Sequence, residues 1–127
     1  MKTKLLLKGL VVVLFLSFAF SVNAQKSTEK IKITSFQVVK KENKVVINWA
    51  TDKDSQTNYF EVEKSTDGKN FKTVAYVLGA DPAKADCECF GCFDKVSGNA
   101  KESFYRLKHI NVDGNVQFSE VKMLALK

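Results

Sequence analysis

The sequence predicts an all-β protein: a sandwich of several short strands that follows a cleaved export leader. Three observations carry this. Apolar and polar residues alternate with a period of two in successive short runs. Turn residues recur at short intervals between those runs, and no stretch holds a helical period. The stretch Phe104 to Val121, FYRLKHINVDGNVQFSEV, places two alternating runs around Asp113-Gly114, the signature of a β-hairpin.

Residues 1–24 read as a secretory signal peptide rather than as fold. Lys2, Lys4 and Lys8 make a positive leader, Gly9 to Phe20 is apolar apart from one serine, and Ser21-Val22-Asn23-Ala24 puts small residues where a leader peptidase cuts. The apolar run is short against the roughly 18 residues of a spanning helix, so no membrane span is expected. Removing 24 of the 127 residues leaves 103, enough for one domain with its own core. With three lysines gone, 17 basic side chains face 14 acidic ones, a balance of +3. That balance is dispersed, which argues for a solvated surface and against nucleic acid as a partner. The expected address is exported, periplasmic or extracellular.

Residues 25–30 (QKSTEK) read as a flexible N-terminal arm, and the domain as 31–127. The first strand alternates over Ile31-Lys32-Ile33 and again over Phe36-Gln37-Val38, with a kink expected at Thr34-Ser35. After the charged turn Lys40 to Lys44, the second strand puts Val45, Ile47 and Trp49 on one face, which makes Trp49 a core residue. Ala50 to Asn58 is expected to be a loop. The third strand turns Phe60 and Val62 inward and Tyr59, Glu61 and Glu63 outward. Two carboxylates on one face can do acid–base work, but with no third polar group beside them they read as a solvated face. Asp67-Gly68 supplies the left-handed residue of a tight turn into a returning strand, Phe71 to Leu78, apolar at Phe71, Val74, Tyr76 and Leu78. Gly79 to Asp86 is a loop, Cys87 to Asp94 (CECFGCFD) holds the cysteines, and Lys95 to Glu102 is another loop.

The closing hairpin has two registers to choose between. A two-residue loop sets Leu107 opposite Glu120, mixing apolar with polar on one face. A three-residue loop, Val112-Asp113-Gly114, pairs Tyr105 with Val121, Arg106 with Glu120, Leu107 with Ser119, Lys108 with Phe118 and Ile110 with Val116. The second register is the expectation, with Tyr105 and Leu107 in the core and a surface pair Arg106–Glu120 worth at most about 1 kcal/mol.

These residues carry a family resemblance. Phe36-x-Val38, the V-x-I-x-W run ending at Trp49, Asn58-Tyr59-Phe60-Glu61-Val62-Glu63-Lys64-Ser65, Asp67-Gly68-x-x-Phe71, and Phe104-Tyr105-Arg106-Leu107-Lys108 with Asp113-Gly114 and Phe118-Ser119 resemble fibronectin type III-like modules. In particular they resemble those near the C-terminus of large exported proteins of Bacteroidota-type bacteria. The resemblance implies a seven-stranded immunoglobulin-like sandwich, with the first, second and fifth strands in one sheet and the other four in the second. It also implies a core Trp49 and a buried Tyr105 in the penultimate strand. Such modules are mostly non-catalytic spacers or contacts for glycans and proteins, and they bring no catalytic residues to carry over. Nothing in this sequence resembles the sorting domain that often follows them, and its three cysteines are extra.

Cys87, Cys89 and Cys92 form C-x-C-x-x-C. In an exported protein a disulfide with one spare thiol is the first reading. Cys89–Cys92 across a turn at Phe90-Gly91, or Cys87–Cys92, would close it. Cys87 and Cys89, two apart on a strand, are poorly placed to bond each other. The spare cysteine could tether a covalent dimer. Inert buried thiols come second. A soft-metal site for Zn or Cu on the three cysteines, with Asp86, Glu88 or His109 as a fourth ligand, comes third. A redox dithiol comes last, for want of a helix to lower a thiol pKa. His109 falls on the Tyr105/Leu107 face, where a lone imidazole is more often a hydrogen-bonded core residue.

Together these features predict no enzyme and no cofactor. The expected function is a small exported binding or structural module, acting through loops or an edge strand on a protein or glycan partner. A periplasmic metal-handling protein is the alternative, and a thiol redox protein the weaker one.

Overall fold

The computed structural model describes residues 31–52, 56–79, 88–96 and 98–127; the expected leader, the N-terminal arm and Cys87 lie outside them. The described chain is all-β, with no helix and hence no helix long and apolar enough to cross a membrane. Eight strands form two antiparallel sheets. The smaller sheet has the order β1 (Ile33–Lys41), β2 (Lys44–Thr51), β5 (Glu88–Lys95). The larger has the order β4 (Lys72–Leu78), β3 (Thr57–Ser65), β6 (Glu102–Asn111), β7 (Val116–Phe118), with β8 (Lys122–Ala125) also on β6. The first, second and fifth strands do share a sheet.

Alternation builds the core. Val45, Ile47 and Trp49 of β2 face Phe60 and Val62 of β3 and Tyr105 and Leu107 of β6, all of them buried, with Phe36 and Phe90 completing the cluster. Trp49 stacks on Phe90 at 5.7 Å between ring centroids and meets the edge of Phe60 at 5.3 Å. Phe60 in turn meets Phe90 at 4.9 Å. Such ring pairs contribute about 0.5–1.5 kcal/mol each beyond the area they bury. The inner faces of both sheets thus close on one aromatic centre, a sandwich-like arrangement.

Several boundaries and faces differ from the sequence expectations. The kink in β1 is a register shift between Ile33 and Ser35. β2 runs through Ala50 and Thr51, and β3 begins at Thr57, so the loop expected over 50–58 is shorter. In β4 it is Ala75 and Val77 that turn inward, and Val74, Tyr76 and Leu78 that face out, while Thr73, past an extra residue at Val74, donates its hydroxyl to Glu61 Oε2 at 3.0 Å. The register explains this. Leu78 pairs with Tyr59 and Tyr76 with Glu61, and cross-strand partners share a face. A shift between Val62 and Glu63 lets both residues be buried, so Glu63 is not a solvated carboxylate.

The closing hairpin follows the three-residue loop in its upper half only. Lys108 pairs with Phe118 and Ile110 with Val116, and Gly114 takes φ 83°. Asn111 organises the turn: its Oδ1 accepts from the N–H groups of Asp113 and Asn115. Lower down the register slips by one, so Tyr105 pairs with Lys122 and not with Val121. Ser119 is the cause. Its Oγ accepts from the Leu107 N–H at 2.8 Å and donates to the Glu120 carbonyl at 2.7 Å, taking a backbone group's place in the ladder. The expected seventh strand is therefore two short ones. The expected Arg106–Glu120 pair is absent: Arg106 bonds Glu63, and Glu120 bonds Lys122.

Candidate functional site

The cysteine segment is a regular strand without a turn. Its burial alternates, with Glu88, Phe90, Cys92 and Asp94 inward and Cys89, Gly91, Phe93 and Lys95 outward. Cys89 sits opposite Ala50 and Cys92 opposite Ile47, on opposite faces. Cys92 is a free thiol, so neither the Cys89–Cys92 nor the Cys87–Cys92 bond is formed. The spacing would suit a turn, but pairing with β2 over eight residues holds the strand extended. Cys92 packs against the core, and burial, helped by the Asp94 carboxylate, pushes its thiol up to about 11. At neutral pH that sulfur is protonated, a poor nucleophile and a poor metal ligand.

His109 is buried on β6, with Nε2 3.0 Å from Thr57 Oγ1 and its ring 5.0 Å from Phe60. Burial lowers its pKa below the usual imidazole range, against an opposing pull from Glu88. Among the described residues no three His, Cys, Asp or Glu side chains stand together as a metal site requires.

A polar knot ties the sheets together beneath Trp49's cluster. Tyr105, fully buried on β6, donates its hydroxyl proton to Asp94 Oδ2 of β5 at 2.8 Å. Lys64 of β3 donates to the same oxygen at 2.7 Å and to the Lys95 carbonyl at 3.1 Å. Burial and the Asp94 carboxylate drive the Tyr105 phenol far above its ordinary range. The knot joins three strands.

The outer face of the larger sheet is different in kind. Cross-strand pairing aligns Leu78, Tyr59, Ile110 and Val116 in one row. The next row is Tyr76, Glu61, Lys108 and Phe118. Tyr76 is 70% exposed and Leu78 78%, with Val116, Phe118 and Met123 also exposed. The charges between them are mutually satisfied. Lys108 Nζ donates to both Glu61 oxygens at 3.2 Å, and Arg106 Nε donates to Glu63 Oε2 at 2.6 Å. The Arg106 guanidinium lies between two rings, 4.1 Å from Phe71 and 4.4 Å from Phe118. The carboxylates read from sequence as solvated are thus braces beneath an apolar surface. A shallow cleft of about 440 Å³ lies at another seam, between the β1 shift and the β7–β8 break, lined by Phe36, Phe118 and Ser119.

Sequence reading missed this face because its residues come from five strands, and alternation alone does not say which face of β4 looks inward. The available signal was Glu61: Tyr76 and Leu78 had to join whichever face carried that charge.

No protein-family model matches the chain, and no curated protein matches it. Its fold is similar to part of a pectate lyase from Pectobacterium carotovorum. In one crystal structure of that lyase the TM-score is 0.55 with 18% identity, and in another it is 0.53 with 20%. The match covers 72% of this chain but 26% of the lyase. A β-1,2-glucanase from Parabacteroides distasonis is similar over 75% of this chain and 13% of its own, with a TM-score of 0.50 and 14% identity. These likenesses concern the fold alone, and the chain spans about a quarter or less of each enzyme.

Proposed function

We propose that the chain is an exported, non-enzymatic binding module with an immunoglobulin-like, fibronectin type III-like sandwich fold. Its working surface is the outer face of the larger sheet. The observation that carries this is the pairing of exposed Tyr76, Leu78, Val116 and Phe118 with charges already neutralised among themselves. Contiguous exposed apolar surface of this kind marks interaction sites. Aliphatic Leu78 and Val116 stand among its rings, and the Tyr59 and Tyr76 rings are inclined at 50° to each other, which favours a protein partner over a stacked sugar chain. Removal of residues 1–24 on export is part of this reading.

A second reading, glycan contact, has one specific support: the similar folds occur as small parts of enzymes named for polysaccharides. A photo-crosslinking amino acid at position 76, compared with position 39 on the opposite sheet, tests the first reading in intact cells. A protein adduct from position 76 that Leu78→Glu abolishes supports it; equal labelling from both positions overturns it. Retardation in gels containing a neutral β-glucan, lost in Tyr76→Ala, would transfer the assignment to glycan.

A further inference from the structure

The smaller sheet has a patterned outer face of its own. Cross-strand pairing lines up Lys41, Lys44 and Lys95 in one row across β1, β2 and β5. The next row is Val39, Val46 and Phe93, and the one after it is Gln37, Asn48 and Gly91. All three lysines are exposed, as are Gln37 and Asn48; Phe93 is 66% exposed and Val39 46%. The Lys44 ammonium stands over the Phe93 ring, 4.5 Å from its centroid. The row lies at the end of the sheet that carries the β1–β2 turn. The chain enters β1, leaves β2 and enters β5 at the other end, beyond the seven residues from Lys44 to Thr51, about 23 Å away.

Such a row costs stability, because like charges directly opposite one another repel. Lysines on edge strands guard against unwanted pairing, which accounts for Lys41 on β1 and Lys95 on β5. It does not account for Lys44, which lies on the central strand and makes the three charges neighbours. Among the described residues none of the three forms an ion pair, with Glu42 of the intervening turn or with any other carboxylate. The carboxylates of these strands, Glu88 and Asp94, point inward, where Glu88 accepts from Thr51, and Asp94 from Tyr105 and Lys64. The three strands thus turn three cations and no anion outward. The lysines looked dispersed in the sequence because each comes from a different strand.

We infer that this face binds an acidic polysaccharide, one that bears carboxylates along its chain. The three rows answer its three chemistries. The lysines, along a line of about 10 Å set by the strand spacing, meet the carboxylates. Phe93 and Val39 meet the C–H faces of the sugar rings, and the Gln37 and Asn48 amides meet the hydroxyls. A lipid surface fits less well. Interfacial binding needs apolar side chains that reach past the charged ones, and here Lys44 covers the ring that would have to insert. The site lies on the sheet opposite the apolar face and does not rest on it.

Binding of the mature chain to immobilised polygalacturonate is measured by interferometry, with the methyl-esterified polymer as the uncharged control. Binding is expected at about 10 mM salt and is expected to be lost by about 0.5 M. Lys44→Gln, Lys41→Gln and Phe93→Ser are each expected to weaken it about five- to tenfold, and Lys44→Arg to retain it. Lys72→Gln removes the same charge from the other sheet and is expected to stay within about twofold of wild type, as is Tyr76→Ala. No binding at low salt, or equal losses in Lys44→Gln and Lys72→Gln, overturns the site. Retention in Phe93→Ser reduces the contact to bare charge and overturns the sugar fit. Tighter binding to phosphatidylglycerol vesicles than to the polymer overturns the glycan in favour of lipid. Loss in Tyr76→Ala alone moves the ligand to the larger sheet and overturns this face.

Discussion

Replacing Tyr105 by Phe removes one oxygen and leaves a ring of the same shape in a fully buried site. No cavity opens, so the cost is that of the hydrogen bond to Asp94 at 2.8 Å. Bonds to a charged partner contribute about 1.5–3 kcal/mol. Asp94 keeps Lys64 at 2.7 Å and is not orphaned, which places the expected loss near 2 kcal/mol. For a domain of this size that corresponds to a fall of about 8–16 °C in Tm. Asp94→Ala does more harm, because it takes the carboxylate away from the Lys64 ammonium, 10% exposed, and leaves it the Lys95 carbonyl; breaking such an ion pair costs about 3–5 kcal/mol when fully buried and somewhat less here. Urea denaturation of both single variants and the double variant gives the coupling directly. A Tyr105→Phe protein within about 0.5 kcal/mol of wild type, or a coupling near zero, would refute the claim that the hydroxyl clamps β5 to β6.

Three further expectations concern titration and space. Cys92 and Tyr105 both hold their protons more tightly when folded, so their stabilisation is whole below the unfolded thiol's pKa of about 9 and is lost as pH rises towards about 11; denaturant midpoints should fall across that window, less so in Cys92→Ala. His109 behaves oppositely: its folded pKa is depressed, so stability is present above about 6.5 and drains away as pH falls, and a flat profile between pH 7 and 5 in wild-type protein would contradict its burial as the neutral form. A Cβ at Gly79 would lie 2.4 Å from the Thr57 carbonyl oxygen, so Gly79→Ala should cost about 1–3 kcal/mol by chemical denaturation. At Gly91, where the close atom is the end of the Asn48 side chain, the same change should cost less.

What was legible in the sequence was whatever depends on near neighbours. The period of two placed Val45, Ile47 and Trp49 together, and Asp113-Gly114 announced both a hairpin and a left-handed glycine. The division of strands between sheets came from the resemblance rather than from periodicity. The rest depends on partners distant in the chain. Glu63 is buried because Arg106, forty-three positions away, arrives beside it. The last strand breaks because one serine hydroxyl bonds Leu107, which no propensity for Ser119 would reveal. In the cysteine segment, a C-x-x-C spacing serves a turn or a strand equally, and the pairing with β2 decided for the strand. For the candidate face, each contributing residue was visible but the side it faced was not.

The internal ion pairs under the outer face have a consequence for how any contact made there behaves. Glu61 with Lys108, and Glu63 with Arg106, cancel locally, so the face projects almost no field of its own. Added electrolyte has little to screen. Association on this surface should persist at high ionic strength, where a contact built on the dispersed basic residues would fade. It should loosen on cooling instead, as the drive to bury apolar area weakens. The molecule thus carries a patch that responds to temperature and is nearly indifferent to salt.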